Sequence, residues 1–405
     1  VTTAIRGRLD TAFWIIPSAI VVSSALAGLV LLRVDRSGIR ATALAFTGGP
    51  ESARSALSTI ATSMLTLTGL VFSITIVVLQ LTSSQFSPRV LRTFLRDGVT
   101  QWTLGTFLAA FAYALLVLRE VRGQSADVDE FVPGLAVTFA FALVAASQVL
   151  FVAYIHHIAQ SVRVVNILAR IGEETADTVT RRYPLLAEAP EHPGAPRPEL
   201  ASPPPKTRSV VHSGPSGVLI AVDTERLVAL ARREDAVLSL RVPVGSFAPA
   251  GAPLVDVSGG DVDADAVRAA LAVGNERSLR DDPAFGFRQL VDVAERALSP
   301  GVNDPSTAVQ ALDQLHHLLR LLAGRSTDVG HHVDEDRAPR LVVPEPGWAE
   351  FLDLAVEEIL HWGRDSLQVR RRVEAMLADL ATVVAGDRLA AIRRLQLSLE
   401  GARCS

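Results

Sequence analysis

Four apolar stretches within the first 155 residues constrain this chain more than any other feature. A helix needs about 20 consecutive apolar residues to cross the ~30 Å hydrocarbon layer of a bilayer. Residues 13–32, 60–81 and 131–155 meet that length, and 102–118, opening on Trp102, falls slightly short of it. The first stretch follows Arg6 and Arg8 as a signal peptide would, but no small-residue cleavage pattern follows and three more apolar stretches do, so it reads as a retained membrane helix. Composition agrees: mean hydropathy is +0.31, with 49% hydrophobic and only 20% charged residues.

Loop arginines set the expected orientation. Arg6, Arg8, Arg89, Arg92, Arg96, Arg163, Arg170, Arg181 and Arg182 give nine on one side of four spans, against six (Arg33, Arg36, Arg40, Arg54, Arg119, Arg122) on the other. This bias predicts a multi-pass membrane protein with both termini in the cytoplasm. Up to Arg182 the chain is net +4, and beyond it −8, the pattern of a bilayer-embedded part followed by a solvated one. A formal charge of −4 over the whole chain excludes an electrostatic case for nucleic acid. Lys206 is the only lysine, an Arg-for-Lys bias that fits GC-rich coding, with Val1 reading as a GTG start. Cys404, also the only one of its kind, rules out an internal disulfide and a thiolate metal cluster.

The expected fold class is therefore an α-helical integral membrane protein with four transmembrane helices and a C-terminal cytoplasmic α+β region. The domain plan is a membrane domain over 1–182, whose last span continues as an amphipathic helix through about Thr180; a Pro-rich linker over 183–208; a small β-rich unit over 209–260; and a mostly helical domain over 261–405. Helices are expected near 263–273, 285–298, 306–322, 348–361, 366–385 and 388–399, with a short strand at 341–343. The stretch VPVGSFAPAGAPLVDV resembles the half-repeat of biotinyl/lipoyl-type and barrel-sandwich domains. It has no lysine for a swinging-arm cofactor, so only the barrel-sandwich-like shape is implied, and no cofactor is expected.

Three groups of residues are candidates for function. In the second span Thr62, Thr66, Gly69, Ser73 and Gln80 recur at spacings of four, three, four and seven, hence on one helical face. A small, hydroxylated stripe suits close helix packing and equally the wall of a water-filled path. After that span, Arg89, Arg92 and Arg96 recur opposite Val90, Leu91, Phe94 and Leu95, an amphipathic pattern suited to a headgroup surface. In the tail, Arg288, Asp292 and Glu295 share a helical face, and Asn303 and Asp304 follow; these could line a polar pocket or serve as ion pairs and caps. Asp282 and Asp304 each precede a proline, the pattern of an N-cap followed by Pro at the first helical position. His156 and His157 end the fourth span, but adjacent helical positions diverge by about 100° and do not share an ion. The run His331, His332, Asp334, Glu335 and Asp336 lacks metal-ligand spacing and reads as a solvated loop, and no metal site is expected. No phosphate loop, nucleophile elbow or dinucleotide glycine pattern is present, so no enzymatic activity is expected.

Taken together, STIATSMLTLTGLVFSITIVVLQLTSSQFSPRVLRTFLRD, FVAYIHHIAQSVRV and FGFRQLVDVAERALSPGVNDPSTA resemble the bacterial predicted membrane proteins grouped as domain of unknown function 2254. The resemblance covers most of the chain, though not the Pro-rich linker or the loop around His331. It implies a multi-span protein of the bacterial inner membrane with a cytoplasmic C-terminal region, and no activity. The expected role is a homo-oligomer assembled through the second and third spans, with the stripe at the shared interface, lining a channel or transport-related pore that the tail regulates. The alternative is a non-conducting scaffold or sensor whose tail recruits a partner or small ligand of unknown identity.

Overall fold

A computed structural model describes residues 14–37, 46–85, 98–123, 130–161, 163–187 and 208–401, and the chain divides into two compact units, residues 1–163 and 164–405. The first unit contains α1 (Ile15–Arg36), α2 (Pro50–Gln85), α3 (Gly98–Leu118) and α4 (Gly134–Ser161). All four are long and apolar enough to cross a membrane. Helix α2 begins ten residues before the apolar stretch does: Pro50 opens the helix, where its missing N–H costs nothing, and Glu51 sits at the positive end of the helix dipole.

Helix α3, the shortest apolar stretch, is the centre of this unit and packs against α1, α2 and α4. Of its most apolar window 61% is buried, against 17–22% for the other three. Small residues make this possible. An added Cβ at Gly105 would lie 2.9 Å from the Pro17 Cα, and one at Gly28 would lie 3.0 Å from the Tyr113 ring. These glycines set the α1–α3 crossing in the way small residues let membrane helices approach. Charged ties among the described residues sit at the helix ends. Asp35, near the end of α1, accepts from Leu135 N and Ala136 N at 3.1 Å each and so caps α4. Arg36 pairs with Glu120, and Arg54 donates to the Val121 carbonyl at 3.1 Å. Inside the bundle, the Tyr113 hydroxyl donates to the Ala136 carbonyl at 2.9 Å, and Tyr154 reaches from α4 to Thr75 on α2 at 2.8 Å.

The second unit opens on α5 (Val164–Arg182), an amphipathic helix that packs on two later helices, α8 (Pro283–Leu298) and α9 (Pro305–Ala323). The break between compact units therefore falls at 163/164, and the helical extension that the sequence reading attaches to the membrane domain shares the core of the C-terminal part. Its buried face, Ile167, Leu168, Ile171 and Thr175, recurs at helical spacing and needs an apolar partner, which α8 and α9 supply.

Between α5 and α8 lies the β-rich part. A five-stranded sheet runs in the order β1 (Arg208–Val211), β5 (Pro253–Gly259), β3 (Ala236–Leu240), β8 (Pro339–Val342), β7 (His331–Val333), antiparallel except for the β3/β8 pair. A three-stranded sheet runs in the order β4 (Phe247–Ala248), β2 (Gly217–Val222), β6 (Leu271–Gly274). Two helices accompany them, α6 (Thr224–Arg233) and α7 (Ala264–Ala269). The two sheets form no closed barrel among the described residues. Two of the five strands in the larger sheet come from 331–342, so the β-rich stretch is not self-contained. The helix expected over 263–273 stops at Ala269, because Leu271 to Gly274 pairs with β2 as strand β6.

The remaining helices, α10 (Trp348–Gly363), α11 (Leu367–Leu380) and α12 (Gly386–Gly401), complete an α-helical layer with α5, α8 and α9. Its core includes Leu290, Leu312, Leu315, Phe351, Ile359 and Met376, all fully buried. Both Asp-Pro junctions behave as the sequence indicates. Asp282 accepts from Phe285 N at 3.1 Å, Asp304 accepts from Ser306 N and Thr307 N at 3.1 and 3.2 Å, and a proline takes the first turn of each helix.

Candidate functional site

The polar stripe of α2 lies on that helix's outer face. Thr62, Thr66, Gly69, Ser73 and Gln80 are all exposed, while Ala53, Leu57, Met64, Val71 and Val78 turn into the bundle. An added Cβ at Gly69 meets nothing within 4 Å. The stripe thus makes no close packing inside its own unit; that task falls to Gly28 and Gly105, which the sequence analysis did not single out. The signal for them was available, since each is a lone glycine in an otherwise apolar span. The two threonine hydroxyls of the stripe are satisfied by their own helix: Thr62 donates to the Ser58 carbonyl at 3.0 Å and Thr66 to the Thr62 carbonyl at 2.9 Å. Of the two spans expected to share an oligomer interface, α2 turns the stripe outward, whereas α3 is mostly covered by the other three helices and exposes chiefly Trp102 and Leu115. Arg89, Arg92 and Arg96 lie outside the described residues.

In the second unit the residues picked from the sequence fall into two separate arrangements. Arg288, on α8, donates to Asp292 at 2.6 Å and Glu295 at 2.8 Å on the same helix, and with both amino groups to Glu358 of α10 at 2.6 Å each. Three carboxylates thus converge on one guanidinium, which they hold above its usual range. Burial and the neighbouring Glu358 carboxylate push Glu295 up to about 7, whereas the Arg288 hydrogen bond holds Glu358 below the ordinary glutamate range. Glu358, 70 residues from Arg288, is the member that no local spacing could reveal. Asn303 and Asp304 instead form the turn into α9. Asn303 takes a left-handed backbone (φ 48°), and Asp304 accepts from the Thr307 hydroxyl at 2.6 Å as well as from its two cap amides. Those donors hold the Asp304 carboxyl below its ordinary value.

Other polar groups serve structure. Asp282 is buried and takes a bidentate pair from Arg277 at 2.7 and 3.0 Å. The run at 331–336 is not one loop: His331 to Val333 form β7, and Asp334 accepts from Asp336 N and Ala338 N and pairs with Arg340 at 2.7 Å. Burial, with Arg182 and His331 nearby, lowers the His332 imidazole below its usual value. Among the described residues no cluster of His, Cys, Asp and Glu has the arrangement to hold a metal ion. An open groove of about 490 Å³ is lined by Glu225, Val228, Arg232, Val333 and Glu335, and its Arg232 is already paired with Glu335 at 2.6 Å.

Chemically, then, the second unit offers a carboxylate-rich ion cluster able to exchange a proton near neutrality, and the first offers an exposed hydroxylated helix face. The family model described as "Predicted membrane protein (DUF2254)" matches residues 10–379 of this chain. Among curated proteins similar to it, an uncharacterized protein of Mycobacterium tuberculosis is 33% identical over 404 residues, covering 96% of this chain and 76% of the relative. An uncharacterized protein of Mycobacterium bovis matches with the same identity and coverage. No solved structure matches the chain.

Proposed function

The chain belongs to the DUF2254 family of predicted membrane proteins, and from that premise we propose that it assembles as a homo-oligomer through the outer face of α2, which lines a path for ions or small solutes. The observation behind this reading is the position of the stripe: the five small or polar residues sit on the exposed side of a membrane-length helix. Small and hydroxylated side chains contribute little against lipid tails, and much where a second backbone approaches closely or water runs along the helix. In this proposal both termini and the second unit are cytoplasmic, Arg89, Arg92 and Arg96 stand at the cytoplasmic mouth where they attract anions or acidic lipids, and the second unit regulates the path without catalysis.

A second reading is favoured by the hydroxyl bonding itself. Thr62 and Thr66 spend their donors on their own helix, and the described part of α2 beyond Arg54 carries no charge through Gln80, whereas intramembrane charge usually marks a transport path. Under that reading the protein is a non-conducting scaffold or sensor whose second unit recruits a partner. Ion and solute flux through purified protein in liposomes separates the two. Flux that is lost when Thr66 and Ser73 are both changed to Leu supports the pore; a tight wild-type protein, or unchanged flux in the double variant, rejects it.

A further inference from the structure

Helix directions within the second unit bring four of its exposed apolar side chains, Val165, Val302, Trp362 and Leu367, to one end. Gly172 of α5 lies against Gln314 of α9, and Arg325 Nη1 donates to the Tyr183 carbonyl at 2.6 Å. Both pairs are separated by 142 residues, so α5 and α9 run parallel and in step. The same offset puts Val164 level with Ser306, and the first turns of the two helices therefore lie side by side. Helix α8 runs the other way, because the short turn 299–304 joins it to α9; its Gly286 sits against Thr175, and its last residue Leu298 lies toward the start of α5. Helix α10 follows α8: the Phe287 ring lies against the Phe351 ring, Arg288 bonds Glu358, and Gly363 lies against Leu298. Helix α11 begins at the same end, since Arg372 bonds Asp313 and Asp379 bonds His316.

This end is capped by the turn Ser299 to Asp304, whose backbone is satisfied from within. Val302 N and Asn303 N donate to the Ser299 carbonyl at 3.0 and 2.9 Å, and Asp304 N to the Ala297 carbonyl at 2.7 Å. The left-handed Asn303 turns the chain into α9 and leaves Val302 outside. Four large apolar side chains are half-exposed here: Val302 at 50%, and Val165, Trp362 and Leu367 at 51% each. Arg296 and Arg364 are exposed beside them, with Asp365 the exposed acidic neighbour.

Connectivity identifies the occupant. Helix α5 starts at Val164, and helix α4, membrane-length and apolar through Ile155, ends at Ser161. The six helical residues after Ile155 add about 9 Å and the three peptide steps to Val164 reach at most ~10 Å, so the end of the second unit that carries Val165 is tethered close to the membrane surface. An aromatic ring, aliphatic side chains and arginines together suit a headgroup layer. We propose that the end of the second unit bearing Val165, Val302, Trp362 and Leu367 docks on the headgroup region of the bilayer. The opposite end of the unit, around Leu186 and Trp348, holds the far end of α5. The docking stands whether or not α2 joins copies.

The test uses full-length protein with Cys404→Ser and a single spin-labelled cysteine, reconstituted in phosphatidylcholine/phosphatidylglycerol nanodiscs. Labels at Val302→Cys and, independently, Leu367→Cys are expected to collide more with oxygen than with a water-soluble nickel chelate. A label at Leu186→Cys, also exposed, is expected to show the reverse. Water-like accessibility at both 302 and 367, matching 186, would overturn the proposal. So would spin–spin broadening at 302 and 367 without lipid contact, which would assign the surface to a second copy of the chain instead.

Discussion

The two units solve the same problem of satisfying polar groups in opposite ways. In the first, charged side chains gather at helix ends, Asp35, Arg36, Arg54 and Glu120 among them, and hydroxyls along the spans bond their own helix or a neighbour's backbone. In the second, charges pair across helices and strands: Arg288 with Glu358, Arg182 with Glu345, Arg241 with Asp256. The burial patterns invert as well. Helices of the first unit expose Leu, Val and Phe along their length, whereas those of the second bury most of theirs. A polar residue facing outward is therefore unremarkable in the second unit and informative in the first, and that is why the α2 stripe carries more weight than the charge-dense tail.

Substitutions can break or sharpen this contrast. The largest effect is expected at Phe351, whose ring meets both Tyr183 and Phe287 in a fully buried position. Phe351→Ala should cost the second unit about 3–5 kcal/mol, read as an earlier unfolding transition in differential scanning calorimetry, with α1 to α4 unaffected. Next comes Gly105→Val, which forces a side chain against the Pro17 backbone and should cost the first unit about 1–3 kcal/mol by overpacking. Gly69→Leu, on the open face of α2, should leave the stability of the isolated chain within ~0.5 kcal/mol. Equal losses at 69 and 105 in a detergent melting series would show that the outer face is packed in the single chain.

Much of this was legible in the sequence, for physical reasons that also mark where legibility stops. Apolar length located all four spans, and the Asp-Pro pairs located the starts of α8 and α9, because both signals are local. The first ten residues of α2 were missed, since Ser, Arg and Glu at a helix start carry no apolar periodicity. Strand β6 was read as helix because Leu271 to Gly274 becomes strand only by pairing with β2, some fifty residues earlier. The candidate polar site was half legible: Arg288 with Asp292 and Glu295 follows from helical spacing, but Glu358 enters from a helix seventy residues away. The central place of α3 was hidden for the same reason, being a property of three other helices.

Smaller effects test the polar side of the contrast. Asp304→Ala removes the α9 cap and should cost about 1 kcal/mol, with Asp304→Ser restoring most of it, in thermal melts. Because Asp304 titrates below its unfolded value, its contribution should be present above ordinary aspartate pH and fade as pH falls through the folded value. Glu295 works in the other sense. It binds its proton more tightly when folded, so stability should fall as pH rises from about 4.5 to about 7. Glu295→Gln should remove that slope and gain on the order of 1 kcal/mol above pH 7, discounted for partial exposure. An unchanged slope in the variant would place the titration on another group.

The outer face of α2 as the contact between copies is tested most directly by disulfide cross-linking in native membranes, starting from Cys404→Ser. A cysteine at Ser73, on the stripe, should form a covalent dimer under mild oxidation, while one at Val149, 70% exposed on α4, should remain monomeric. Cross-linking at 149 with none at 73 would contradict the assembly proposed for this protein.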